Sequence, residues 1–199
     1  MRRPPPAFPL RRSRQMEWRP MTDAEWEALS RCLRRGPGAA RGRPPADARR
    51  TWDGIFWVAC SKGPWRDLPA ELGRPDTAHR TLRRAAAARV LHGMLLLVSD
   101  HPIAAMGGLR GIEWFVVRAF RRAFRVAPFA IAYARRLGLA SALPCEPFWL
   151  PKPHLSETFD ALCGIMRALT PRTPLWLLDA LRFLHRMAAG DPRKWRATG

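Results

Sequence analysis

Thr77, Arg80 and Thr81 stand at i, i+3 and i+4 shortly after a glycine, Gly73. On a helix these spacings place an arginine fork beside two short hydroxyls in the first turns, where side chains reach base edges. A guanidinium can give guanine two parallel hydrogen bonds. Arg83 and Arg84 follow one turn later, where phosphate is the more natural partner, and Arg74 and Arg66 precede the helix and suit phosphate too. Upstream, Arg41-Gly42-Arg43-Pro44 is a short extended basic element. Its glycine would let the backbone sit deep in a minor groove while Arg41 and Arg43 lie along the floor. Each pattern also has a plainer explanation. The helix could be an exposed polar face with solvated arginines, and Arg41–Pro44 could be a linker.

The elements that would position these residues are helices. Leu68 and Leu72 predict a short bracing helix from about Arg66 to Leu72, with both leucines turned to the core. Gly73 suits a left-handed C-terminal position, Arg74-Pro75-Asp76 makes the turn, and Thr77 caps a reading helix to about Ala88. That is the order of a helix-turn-helix, whose second helix enters the major groove N-terminus first. Upstream, Thr22 and Glu25 form a capping box, and Trp26, Leu29 and Leu33 share one face of the first helix. Gly36-Pro37-Gly38 ends it. A second helix runs from about Ala46 to Ser61, burying Trp52, Ile55, Phe56 and Ala59.

Downstream, helices are expected over Val90–Val98, Ile112 to about Val126, Phe129–Leu137, Ser156 to about Leu169 and Leu175–Ala189. In the helix from Ile112, Arg118, Arg121, Arg122 and Arg125 stand at i, i+3, i+4 and i+7 and form a second basic face. Strand-type alternation is not sustained anywhere, so the class is all-α. The expected organisation is a disordered Pro/Arg arm over 1–20, a small helix-turn-helix domain over 21–89 and a helical region over 90–199. Translation could begin at Met1, Met16 or Met21.

The formal net charge is +19 and the pI about 11.7. Such an excess attracts polyanions, with nucleic acid first and an anionic membrane surface second. A GC-rich genome also inflates arginine, and Lys62, Lys152 and Lys194 are the only lysines. The four cysteines, Cys32, Cys60, Cys145 and Cys163, make no C-x-x-C pair, and the histidines complete no ligand pattern with them. A metal site, a disulfide framework and a cofactor are therefore not expected. No apolar run reaches the roughly 18–20 residues needed to cross a bilayer. The expected location is the cytoplasm, associated with the nucleoid. The membrane alternative rests on the helix from Ile112, which has an apolar face, an arginine face and Trp114 near their border. An intact small enzyme is a third reading. His101, His154 and Asp160 qualify for it by residue type alone.

Residues 21–84 resemble the N-terminal DNA-binding domain of the DDE transposases of bacterial insertion sequences, in the group whose type member is insertion sequence five. The matching segments are Met21-Thr22-Asp23-Ala24-Glu25-Trp26, Gly42-Arg43-Pro44 and Asp53-Gly54-Ile55-Phe56-Trp57-Val58. Pro64-Trp65-Arg66-Asp67-Leu68-Pro69 follows, then Gly73, Thr77, Arg80 and Arg83-Arg84. The chain departs from the family at Leu82-Arg83-Arg84-Ala85, where the family usually has Phe-Arg-Arg-Trp. The resemblance implies binding to double-stranded DNA at terminal inverted repeats, usually within a multimer. It also implies an RNase H-like catalytic domain with three carboxylates holding two divalent metals. That domain is not legible after residue 84. Asp100, Glu113, Glu146, Glu157, Asp160, Asp179 and Asp191 fall in helical or Pro-rich contexts. The third-carboxylate signature finds Tyr133 and Arg136, but Ala140 stands where Glu is required. The expectation is thus a DNA-binding part without catalytic residues or metal. Strand transfer would need a catalytic subunit in trans. The chain would then be the upstream product of a two-frame element or a truncated copy, and a possible homo-oligomer.

Overall fold

A computed structural model describes residues 8–35, 47–124, 130–145, 150 and 174–189. The chain is all-α: α1 (Asp23–Arg35), α2 (Ala48–Ser61), α3 (Pro75–Ala87), α4 (Val90–Val98), α5 (Glu113–Ala123), α6 (Ala130–Arg136) and α7 (Leu175–Ala189). Arg41, Arg43, Arg125, His154 and Asp160, and the helix expected over 156–169, lie outside the described residues.

The start of α1 follows the capping-box reading. The Glu25 amide donates to Thr22 Oγ1 at 3.3 Å, and Glu25 Oε2 accepts from the Thr22 amide at 2.8 Å. Two of the helix's orphan donors are thereby satisfied. Asp47 caps α2, accepting from the Arg50 amide at 2.9 Å. At the other end Lys62 turns left-handed, with φ 63°.

α5 is the centre of the molecule. Phe115, Val116, Val117, Ala119 and Phe120 are all buried, against α2 on one side and α4 on another. Phe56 of α2 meets Phe115 with ring centroids 5.9 Å apart. One hydrophobic cluster runs from Met21 through α2, α3, α4 and α5 to Leu150. Burial on this scale, at about 25 cal/mol per Å² of apolar surface, is the main force holding the helices together. It also removes the basis of the membrane reading, because the apolar face of α5 is already covered by protein. No described helix is long and apolar enough to cross a membrane.

Residues 8–20 correct the expectation of a disordered arm. They form a strap along α6 and the turn after it. The Phe8 amide donates to the Arg136 carbonyl at 2.8 Å and the Arg11 amide to that of Gly138 at 2.7 Å. The Ala140 amide returns a bond to Arg11 at 2.9 Å. Gly138 permits this approach: it has φ 73°, and a Cβ there would lie 2.3 Å from the Pro9 carbonyl oxygen. The Arg11 guanidinium bridges Asp100 at 2.7 Å and Glu113 at 2.5 Å. Further along, the Trp18 indole donates to the Asp53 carbonyl, and Asp53 Oδ1 accepts the Met21 amide. A Pro/Arg-rich composition predicts disorder when no partner is in view. Here the partners come from far along the chain.

Candidate nucleic-acid interface

The segment before α3 is not the single helix that the leucine spacing predicts. It is two 3-10 turns, Trp65–Asp67 and Ala70–Leu72, separated by Leu68 and Pro69. Pro69 has no amide to donate, and its ring drives Leu68 out of the helical region, to φ −60° and ψ 122°. The inward direction of the leucines survives: Leu68 is buried, and Leu72 packs against the core. Gly54 makes the contact possible. A Cβ on Gly54 would sit 2.9 Å from the Leu72 carbonyl oxygen and 3.2 Å from Leu68 Cδ1. Arg50 fixes the second turn by donating to the carbonyls of Glu71 and Ala70.

α3 also starts earlier than expected. Arg74 is the N-cap without a side-chain bond, Pro75 is the first helical residue, and Thr77 lies inside the first turn rather than capping it. Proline is well placed there, since its missing amide would have had no helical partner. Gly73 does take a positive φ, 105°, but with ψ −164° it is extended rather than left-handed helical.

The helix has two faces. Ala78, Leu82, Ala85 and Ala86 are buried. Thr77, Arg80, Arg83 and Arg84 are exposed, and Thr81 is half-buried at the edge. Leu82 and Ala85, where the family pattern has aromatics, both point inward. Arg83 and Arg84, which stand between them, face out. The guanidinium groups of Arg74, Arg80, Arg83 and Arg84 have no ion pair or hydrogen bond among the described residues. Arg66 is exposed in the preceding turn, 3.8 Å from Asp67.

Trp65 ties α3 to the body. Its ring lies 5.3 Å from the His79 ring of α3, and the Arg122 guanidinium of α5 lies 5.2 Å from the Trp65 centroid. Spacing alone does not mark Trp65, His79 or Arg50 as positioning residues. The tryptophan between two prolines in a Pro-Trp-Arg-Asp-Leu-Pro segment was the available signal.

The arginines of the expected second basic face are engaged within the fold. Arg118, Arg121 and Arg122 share a side of α5, but none of the three is a fully solvated cation. Arg118 Nε donates to the Ala59 carbonyl at 3.2 Å, and Arg122 donates to Val58 at 3.4 Å and to Gly63 at 2.5 Å. Arg121 donates to the Pro144 carbonyl at 2.9 Å. The cause is the C-terminus of α2, whose last carbonyls have no helical partner and whose last turn contains no basic residue of its own. Arginines from α5 supply the missing donors and positive charge. Burial, and then Arg121 beside Arg118 and Arg118 beside Arg122, push both guanidinium pKa values below the ordinary arginine value.

Among the described residues, no three His, Cys, Asp or Glu side chains gather as metal ligands. Asp100 and Glu113 converge, but on Arg11. Tyr133 is in ring contact with His92 at 5.2 Å, and Arg136 is buried. His101 accepts the Ile103 amide through Nδ1 at 3.3 Å and caps a 3-10 turn.

Comparison with known proteins agrees with this picture of the N-terminal part. The chain is 28% identical over 99 residues to "Uncharacterized protein y4sN" of Sinorhizobium fredii, across 49% of this chain and 70% of that protein. No solved structure matches. Residues 21–95 match the family described as "Putative transposase of IS4/5 family". From α1 into α4, then, the chain is similar to this family.

Proposed function

We propose that the chain binds duplex DNA through the outer face of α3, as the end-recognition part of a transposase. One observation carries this reading. Many arginines of the body are committed to carboxylates or carbonyls, while Arg80, Arg83 and Arg84 face outward together and, among the described residues, unpaired. Arg80 reads a base edge near the helix N-terminus, with Thr77 and Thr81 beside it. Arg83, Arg84, Arg74 and Arg66 hold phosphates. Arg41 and Arg43 extend the contact into the minor groove. The target class is the terminal inverted repeat of a mobile element, and the protein acts in the cytoplasm on the nucleoid. The chain does not cleave DNA itself. A catalytic subunit acting in trans supplies the carboxylates and metal, on an assembly that contains more than one copy of this chain.

The test is Arg80→Ala in a binding titration on a terminal repeat and on unrelated duplex. Loss of a bidentate base contact costs about 1–3 kcal/mol on the correct sequence and less elsewhere. Equal losses on both duplexes would show that Arg80 meets phosphate only and would remove sequence reading from its role.

A further inference from the structure

Among the described residues, two that are not glycine take a positive φ: Lys62 at 63° and Arg89 at 58°. With ψ at 0° and 17°, both are left-handed helical. A β-carbon makes that conformation costly, and glycine is its usual occupant just past a helix C-terminus. Lys62 caps the end of α2, and Arg89 stands one residue beyond the cap of α3. Both are cations, and both are exposed. A cation near a helix C-terminus favours the negative end of the dipole, which would explain them by structure alone. That need is already met by other residues. Arg118 and Arg122 donate to the Ala59, Val58 and Gly63 carbonyls at the end of α2. Arg84 is the basic residue in the last turn of α3, whose cap amide closes on the Arg84 carbonyl. The Lys62 and Arg89 side chains make no hydrogen bond or ion pair with the described residues. Asp67, whose carboxylate lies close to Gly63, is 3.8 Å from Arg66.

Backbone strain that the fold does not need marks a position kept for another purpose. The two positions flank α3. Lys62 is three residues before Trp65, so their Cα atoms are at most about 11 Å apart. The Trp65 ring in turn lies 5.3 Å from that of His79, in the first half of α3. Arg89 stands at the opposite end of the helix. At about 1.5 Å per residue, the 13 residues of α3 span roughly 20 Å. The major groove is about 12 Å wide, so the two ends of such a helix come to the two phosphate backbones that wall it. We propose that Lys62 and Arg89 are phosphate contacts flanking α3, one on each wall of the groove it occupies. The inference deepens the proposed function and rests on α3 holding duplex DNA.

The experiment sets stability against binding in the full chain. Lys62→Gly and Arg89→Gly relieve the left-handed strain, so each should melt at or above the wild-type temperature. Each should nevertheless bind a fixed mixed-sequence duplex several-fold more weakly. The slope of log affinity against log salt should become shallower by about 0.9 in each. Lys62→Arg and Arg89→Lys keep both the charge and the strain, and should keep the wild-type slope. If a glycine variant melts below the temperature of the titration, Lys62→Asn or Arg89→Asn takes its place, since asparagine also tolerates this backbone. Unchanged affinity and slope in the neutral variants overturn the proposal and leave the two cations a structural role. A changed slope in one of them alone overturns the two-walled contact, and so does a changed slope in the charge-keeping variants. The Arg80→Ala/Arg83→Ala/Arg84→Ala chain is titrated beside them. Binding that falls in that chain but not in the glycine variants sinks this inference and leaves the reading of α3 standing. A wild-type chain that binds no duplex removes both.

Discussion

Glu25 accepts three hydrogen bonds in a small space. Oε2 takes the Thr22 amide at 2.8 Å and Arg19 at 2.7 Å, and Oε1 takes Arg19 again at 2.6 Å. The Arg19 bond above all holds the Glu25 carboxyl below the usual carboxylate range, against the opposing effect of burial. The folded-state pKa is therefore lower than the unfolded one. The stabilisation is fully present above the ordinary glutamate pKa of about 4.3 and is lost as pH falls through the lower, folded value. Thermal melts across that acid range should show Glu25→Gln with a flatter decline than wild type, and less stable at neutral pH. Parallel declines in the two proteins would mean that Glu25 is not the group responsible. Asp53 has the opposite sign: burial raises its carboxyl, so its protonation favours the fold as pH falls. The arginines divide in a similar way by partner rather than by type. Spacing alone groups Arg118 with Arg122 as readily as Arg80 with Arg84. Only the three-dimensional neighbours separate bonded cations from available ones, and those neighbours lie about sixty positions away, as Ala59 does from Arg118.

Local chemistry wrote some elements clearly and others poorly. α4 and α7 have the bounds that their apolar patterns predict, and α1 begins where its capping box places it. The bracing element failed as a helix because one proline outweighs two well-spaced leucines. The start of α3 was misplaced because Pro75 can begin a helix two residues before a good capping threonine. What the element-level pattern hid was the role of Trp65, held between Arg122 of α5 and His79 of α3. An arginine over a tryptophan face is worth roughly 0.5–2 kcal/mol, depending on how dry it is. Trp65→Ala should therefore loosen α3 without unfolding the core. Hydrogen exchange is expected to speed up in α3 more than in α5, with weaker DNA binding. Unchanged α3 protection would mean that the helix is held by Ala78, Leu82, Ala85 and Ala86 alone.

At the scale of the whole molecule, the family-matched segment does not own its core. The match ends at residue 95, yet α2 packs against α5 and the buried cluster continues to Leu150. The expected division at residue 89 marks a turn, where Arg89 takes φ 58°, and hydrophobic packing continues across it. Sequence pattern reports helices one at a time, so long-range packing of this kind was not legible. The strap is hidden from sequence pattern for the same reason. A chain beginning at Met16 would lack Arg11 and leave Glu113 and Asp100 without their guanidinium. Hydrogen bonds to charged groups are worth about 1.5–3 kcal/mol each, so such a chain should melt at a clearly lower temperature. An unchanged melting temperature would show the strap to be dispensable. The net charge of +19 belongs to this scale too, and it promises polyanion attraction without saying where. The proposed place is the outer face of α3, and one measurement bears on that most directly: the salt dependence of duplex binding for wild type and for the Arg80→Ala/Arg83→Ala/Arg84→Ala chain. Each lost phosphate contact should reduce the slope of log affinity against log salt by about 0.9, so the variant is predicted to bind more weakly with a slope shallower by roughly 2 to 3. Identical affinity and slope in the two proteins would contradict the claim that α3 holds the DNA.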